Sequence, residues 1–168
     1  MTEENKMREF KIEKVVLSIG GKAEALERGV KLLERLSGSK VVKRASKKRI
    51  PTLDIRPGLE VGCLVTLRGK KAEELLRRLF ATIDNKIKRK QISENSFSFG
   101  IKEYIEIPGM TYQRDIGIIG FDVSVSFSRA GKRIGIKKIK QGKIPKKQNV
   151  SEEEIADFLV SKFDVELI

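Results

Sequence analysis

In KIEKVVLSIGG (residues 11–21) the apolar Val15, Leu17 and Ile19 alternate with Val16 and Ser18. A two-residue period of this kind predicts a strand with one face turned to a core. The period lengthens in KAEALERGVKLLERLSG (22–38), where Leu26, Val30, Leu33 and Leu36 line one side of a helix that Gly38 ends. Gly29 interrupts that helix at a cost of about 1 kcal/mol relative to alanine. Its presence predicts a close approach between helix and sheet. A short strand is expected over Lys40–Ala45. LEVGCLVTLRG (59–69) predicts another, with Val61, Cys63, Val65 and Leu67 inward and Gly62, Leu64, Thr66 and Arg68 on the reverse.

KKAEELLRRLFATI (70–83) returns to helical spacing through Ala72, Leu75, Leu76, Leu79 and Ile83. NKIKRKQISEN (85–95) is a basic connector, SFSFGIKEYIEI (96–107) predicts one or two strands, and IPGMTYQRDIGIIG (107–120) an irregular excursion. FDVSVSFS (121–128) alternates without exception, Phe121, Val123, Val125 and Phe127 inward and Asp122, Ser124, Ser126 and Ser128 outward. A glycine-bearing basic extension follows over 129–148. Ser151 and Glu154 then form a capping box for a helix over 151–163, expected to pack through Ile155, Phe158, Leu159 and Val160.

The order strand–helix–strand–strand–helix–strand predicts an α+β fold. Its antiparallel sheet would carry helices on one face, in a split βαβ (ferredoxin-like) arrangement with the basic extension and C-terminal helix appended. Residues 1–168 are expected to form a single domain, since neither an internal repeat nor a low-complexity linker divides them. The face of the sheet without helices is left for a partner.

Charge says what kind of partner. The 168 residues carry 36 Lys and Arg against 23 Asp and Glu, a formal net charge of +13. The excess is concentrated in three runs: Lys40–Arg49, Lys86–Lys90 and Arg129–Lys147. Such an imbalance implies a polyanion, and loops rich in cations and poor in acids are explained by phosphates that neutralise them. No apolar run approaches the roughly 20 residues that span a bilayer, and MTEENKMREF has no apolar signal core. No membrane partner is therefore expected. The one cysteine, Cys63, cannot form an internal disulfide, which suits a reducing cytoplasm. RNA fits better than duplex DNA, because no helix-turn-helix, zinc-finger or basic-zipper pattern occurs. Aromatic content is low, so recognition of folded RNA by shape and backbone is expected over base stacking.

Candidate chemistry is sparse. Histidine is absent, which removes the commonest general base and excludes a Cys/His zinc site. IGGKA (19–23) sits at a strand-to-helix junction but lacks a phosphate loop's first glycine and the Ser or Thr after Lys22. SGSK (37–40) matches Ser-x-x-Lys without its companion motifs. Glu152, Glu153 and Glu154 suit the first turn of a helix, where they meet its dipole favourably. No catalytic constellation, metal site or cofactor is expected.

IEKVVLSIG, LERLSGSKVVKRASKKRI, IRPGLEVGCLVTLRG, FSFGIKEYIEIPGM and DIGIIGFDVSV, in this order, resemble the motifs of the L-five family of large-subunit ribosomal proteins. The resemblance runs from about Ile12 to the C-terminus and is closer to the archaeal branch than to the bacterial one. It implies a non-enzymatic constituent of the central protuberance. The partners it implies are 5S rRNA, large-subunit rRNA, P-site tRNA, a small-subunit head protein across an intersubunit bridge, and neighbouring 5S-binding ribosomal proteins. Family contacts to 5S rRNA fall on positions matching Ser18, Ser39, Leu53 and Thr66, where bacterial members carry Asn, Gln and Phe at the first three.

The cations expected to reach rRNA are Lys40, Lys43, Arg44, Lys47, Lys48, Arg49, Arg68, Arg129, Lys132, Arg133, Lys137, Lys138 and Lys140. Ile55, Arg56, Pro57 and Gly58 match the part of the family that approaches tRNA, with Arg56 expected at the tip of the loop. Two readings outside the family remain to be weighed. One is an RNA-binding α+β domain of another kind; the other is a phosphate-handling enzyme, which would turn over a nucleotide and need magnesium.

Overall fold

A computed structural model describes residues 8–168. Most of the N-terminal stretch quoted above, residues 1–7, lies outside the described residues. The chain begins with β1 (Phe10–Gly20), α1 (Ala23–Ser37), β2 (Val42–Ala45), β3 (Glu60–Leu67) and α2 (Lys70–Thr82). It continues with β4 (Lys86–Ile87), β5 (Ile92–Ser93), β6 (Ser96–Ile101), β7 (Phe121–Arg129), α3 (Glu152–Phe163) and β8 (Glu166–Leu167). Six strands form one sheet in the order β2-β3-β1-β7-β6-β5, and each pairing in it is antiparallel. Strands β2, β3, β1 and β7 with α1 and α2 make the split βαβ arrangement, so the expected α+β fold is observed.

Alternation decides the two faces. Val15, Leu17 and Ile19 of β1 are buried, as are Cys63, Val65 and Leu67 of β3, Phe97, Phe99 and Ile101 of β6, and Phe121, Val123, Val125 and Phe127 of β7. They share one core with Leu26, Leu33 and Leu36 of α1, Leu76, Leu79 and Phe80 of α2, and Ile155 and Leu159 of α3. Gly29 sits where α1 touches the sheet. A Cβ there would lie 3.1 Å from Ile19 Cγ2 and 3.2 Å from Cys63 Sγ, so the missing side chain lets the helix rest on β1 and β3. Gly38 ends α1 in the left-handed conformation, its N–H donating to Glu34 O at 2.8 Å.

The C-terminal helix is capped as expected. Ser151 accepts from Glu154 N and Glu154 accepts from Ser151 N. Its packing face differs from the expectation in one place: Val160 is 48% exposed, and Phe163 with Val165 closes the core instead. Ile155, Leu159 and Phe163 follow the four-residue helical step, which Val160 breaks. The connector over 85–95 also holds more structure than expected. It contributes β4, which pairs in parallel with β8, and β5, which extends the main sheet. In 96–107 one strand forms, followed by a 3-10 turn at Tyr104–Glu106.

Candidate nucleic-acid interface

Among the described residues, the reverse face of the sheet carries none of the three α-helices. Across its middle run two rows fixed by register. Ser98, Ser124, Val16 and Thr66 lie side by side on β6, β7, β1 and β3, and Gly100, Asp122, Ser18, Leu64 and Val42 form the next row, out to β2. Four of these nine residues, Ser98, Ser124, Thr66 and Ser18, carry hydroxyls, and none is a cation. Ser18, Ser98, Gly100, Asp122 and Ser124, with Gln91 from the connector, line a shallow open depression. Ser18 and Thr66 therefore stand where alternation puts them, half-buried on the open face. Sequence reasoning placed the serines of β7 on this face without selecting them, and overlooked Ser98, Gly100 and Gln91.

Cations flank the open face. Arg44 pairs in register with Gly62 and so lies on the open side, while Lys43, opposite Cys63, lies on the helix side. Lys40, Lys47, Lys48 and Arg49 are exposed, and Arg68 is exposed just past the end of β3. Ser46 Oγ accepts from Lys48 N at 3.3 Å and donates to Lys48 O at 2.7 Å, which turns the chain under the three consecutive basic residues. Ser39 uses its hydroxyl locally, donating to Ser37 O at 3.2 Å beyond α1. In the basic extension Arg133, Lys137, Lys138 and Lys140 are exposed.

Three of the cations assigned to rRNA are held by acids that are distant in the chain. Lys43 Nζ lies 3.1 Å from Glu60. Lys132 bonds Glu13, 119 residues away in the chain. Arg129 donates from Nη2 to both carboxylate oxygens of Glu154, at 2.5 and 2.6 Å, and its side chain is only 12% exposed. That geometry makes Arg129 a tie between β7 and α3 rather than a surface cation. Burial works against ionisation of Glu154, but the hydrogen bonds from Ser151 and Arg129 and the guanidinium charge outweigh it and hold its pKa below 4.5. Burial pushes the Cys63 thiol up against a smaller opposing pull from Lys43, as befits an inert core residue.

The loop from β2 to β3 is a second hairpin-like layer. Ser46 N donates to Leu59 O at 2.8 Å and Gly58 N to Ser46 O at 2.9 Å; further out, Ile50 and Ile55 bond each other through both backbone groups. Gly58 has φ +86°, a conformation that glycine adopts without strain. The tip is the 3-10 turn Pro51–Leu53 with Asp54 in the left-handed region. Two expectations are corrected by this arrangement. Arg56 lies on the returning limb rather than at the tip, and Ile55, 8% exposed, anchors the loop instead of presenting a contact. Leu53, 54% exposed, is the apolar residue at the tip.

Among the described residues no group of acids and cysteine is arranged to hold a metal ion, and no helix is long and apolar enough to cross a membrane. Residues 60–159 match the model of the C-terminus of the ribosomal L-five protein family. The large ribosomal subunit protein uL5 of Nanoarchaeum equitans is 40% identical, over 98% of this chain and 99% of the relative. Its counterpart in Methanobrevibacter smithii is 41% identical over 98% of each. The chain belongs to the ribosomal L-five protein family. The uL5 protein of Sulfurisphaera tokodaii, 40% identical over 98% of this chain and 95% of its own, adds to the archaeal character of the match. As a family member the chain is an archaeal-type ribosomal protein, a structural and non-enzymatic constituent of a ribonucleoprotein. Matches over nearly the full length take in β1, α1 and the basic loop over 40–58, which lie before the region covered by the family model.

Proposed function

We propose that the whole chain acts as one RNA-binding unit of the large ribosomal subunit, in the cytoplasm, and that its open sheet face binds 5S rRNA. One observation carries this reading: among the described residues, a strand face free of helices, with Ser18, Thr66, Ser98 and Ser124 across its middle, is bordered by Arg44 of β2 and by Lys47, Lys48 and Arg49 of its loop, cations that no acid neutralises. Ser18 and Thr66 stand on that face, as the family resemblance requires of 5S contacts. Arg44, Lys47, Lys48 and Arg49 supply the phosphate contacts, and the extension with Arg133, Lys137, Lys138 and Lys140 reaches large-subunit rRNA. Lys43, Arg129 and Lys132 are each paired with an acid of the protein, Arg129 with its side chain nearly buried.

The β2–β3 loop extends away from the sheet and would meet the P-site tRNA through Arg56 and Gly58, with Leu53 at its tip packing on RNA. Contacts with the small-subunit head and with other 5S-binding proteins belong to the same reading, by family resemblance alone. Filter binding of archaeal 5S rRNA over a salt series tests it. Each phosphate neutralised adds about 0.7–0.9 to the slope of log K against log[salt]. The variant Arg44→Ala/Lys47→Ala/Lys48→Ala should flatten the slope by about 2–3 if each cation meets one phosphate. Lys43→Ala alone should change it little, because Glu60 already occupies Lys43. Equal slopes for the triple variant and the native protein would place the RNA elsewhere.

A further inference from the structure

Asp122 is the acid in the middle of the open face. It stands on β7 between Ser18 of β1 and Gly100 of β6, its register partners on either side. Its side chain is exposed and takes part in no hydrogen bond or ion pair among the described residues. A carboxylate accepts hydrogen bonds and donates none, and a phosphate offers it nothing but repulsion. On a face that meets RNA, such a group is matched where the RNA presents donors.

The surroundings leave room for a flat donor-bearing group. Gly100 has no side chain beside the carboxylate, since a Cβ there would lie 3.4 Å from Asp122 Oδ1, and Ser18, Ser98 and Ser124 keep the floor of the depression low. We propose that Asp122 reads an unpaired guanine of the bound RNA, its two carboxylate oxygens accepting from the N1–H and the N2 amino group. Guanine is the base whose Watson–Crick edge sets two donors side by side, the match for a two-oxygen acceptor. Folded RNA exposes such edges in its loops and bulges. The inference rests on the proposed binding of 5S rRNA to this face, and it makes Asp122 the residue that confers specificity there, the hydroxyls and flanking cations contributing affinity.

Neutralising Asp122 discriminates by sign. Were the acid a bystander, Asp122→Asn would remove a repulsion and tighten RNA binding. As a base reader it should weaken binding about 10–100-fold, the span of one two-pronged base contact, with the salt slope unchanged because no phosphate contact is lost. Asp122→Ser, which copies its neighbours on β7, should behave alike, and circular dichroism should show both variants folded. A 1,2-dicarbonyl reagent that attacks N1 and N2 of unpaired guanine supplies the second measurement. The native protein should shield one such guanine of 5S rRNA, and Asp122→Asn should expose that guanine while the rest of the footprint stays. Unchanged or tighter binding by Asp122→Asn, or an unaltered guanine pattern, would overturn the inference and leave the 5S reading standing. Failure of the native protein to bind 5S rRNA would overturn both.

Discussion

Moving a negative charge by three residues along β3 should separate a folding defect from a binding defect. Cys63 is 2% exposed, beneath Gly29 of α1, and its cross-strand partner Lys43 is engaged by Glu60. The carboxylate of Cys63→Asp would therefore be buried with no free cation, at a cost of about 3–5 kcal/mol that proton uptake limits. Against a total stability of roughly 5–15 kcal/mol that is a large fraction, and Tm should fall by about 6–20 °C for a chain of this size. Thr66 is half-buried on the open face beside Val16. Thr66→Asp should cost at most about 1 kcal/mol of strand propensity. Its new charge, roughly 5–7 Å from a phosphate at an effective dielectric of about 20–80, should weaken RNA binding by about 0.6–3 kcal/mol. Thermal melts by circular dichroism and filter binding of 5S rRNA read the two effects separately. The assignment of faces fails if Thr66→Asp melts as low as Cys63→Asp, or binds RNA like the native protein.

Three further outcomes are expected. Arg129→Ala should destabilise the chain by about 1–3 kcal/mol, less than a fully buried pair because Glu154 is 43% exposed. Since the folded pKa of Glu154 is lowered, the stability it contributes is complete above 4.5 and is lost as pH falls through the folded value. Acid unfolding of native and Arg129→Ala protein should converge at low pH. Gly29→Val should cost about 1–3 kcal/mol by overpacking against Ile19 and Cys63, whereas Gly29→Ala should be nearly neutral in a denaturant titration, the gain in helix propensity offsetting the close contact. Arg56→Ala should spare 5S rRNA binding and weaken P-site tRNA retention on assembled ribosomes by about 1–3 kcal/mol, one charge-assisted hydrogen bond; lost 5S binding with normal retention would reverse the roles of strand and loop.

The long elements were legible because their periods repeat several times. Four alternating pairs in 121–128 leave no other reading, and the unfavourable Gly29 announced the helix–sheet contact before it was seen. Strands β4, β5 and β8 span two residues each, too few to show a period; β4 and β8 pair because α3 brings the C-terminus back beside the connector, and β5 forms as the short arm of a hairpin with β6. Charge was legible as a total but not as a pattern of pairs. Arg129 and Glu154 are 25 residues apart, Lys132 and Glu13 are 119 apart, and only the fold brings them together. The position of Arg56 was missed for a related reason: the Ile50–Ile55 pairing folds the loop back on itself, and two residues in an irregular stretch do not advertise a bridge. Asp122 was visible as an outward residue of β7, but its isolation became apparent only once its neighbours across the sheet were known.

On the proposed reading the open sheet face and the β2 edge, and not the helix layer, meet 5S rRNA. Lysine acylation of the native protein, with and without saturating 5S rRNA and read by mass spectrometry, tests it most directly. RNA should protect Lys14, whose register with Ser126 puts it on the open face, together with Lys40, Lys47 and Lys48. Lys31 of α1 and Lys70 and Lys71 of α2 should react as they do in the free protein. Protection of the helix lysines with Lys14, Lys47 and Lys48 still reactive would place the RNA on the helix layer instead.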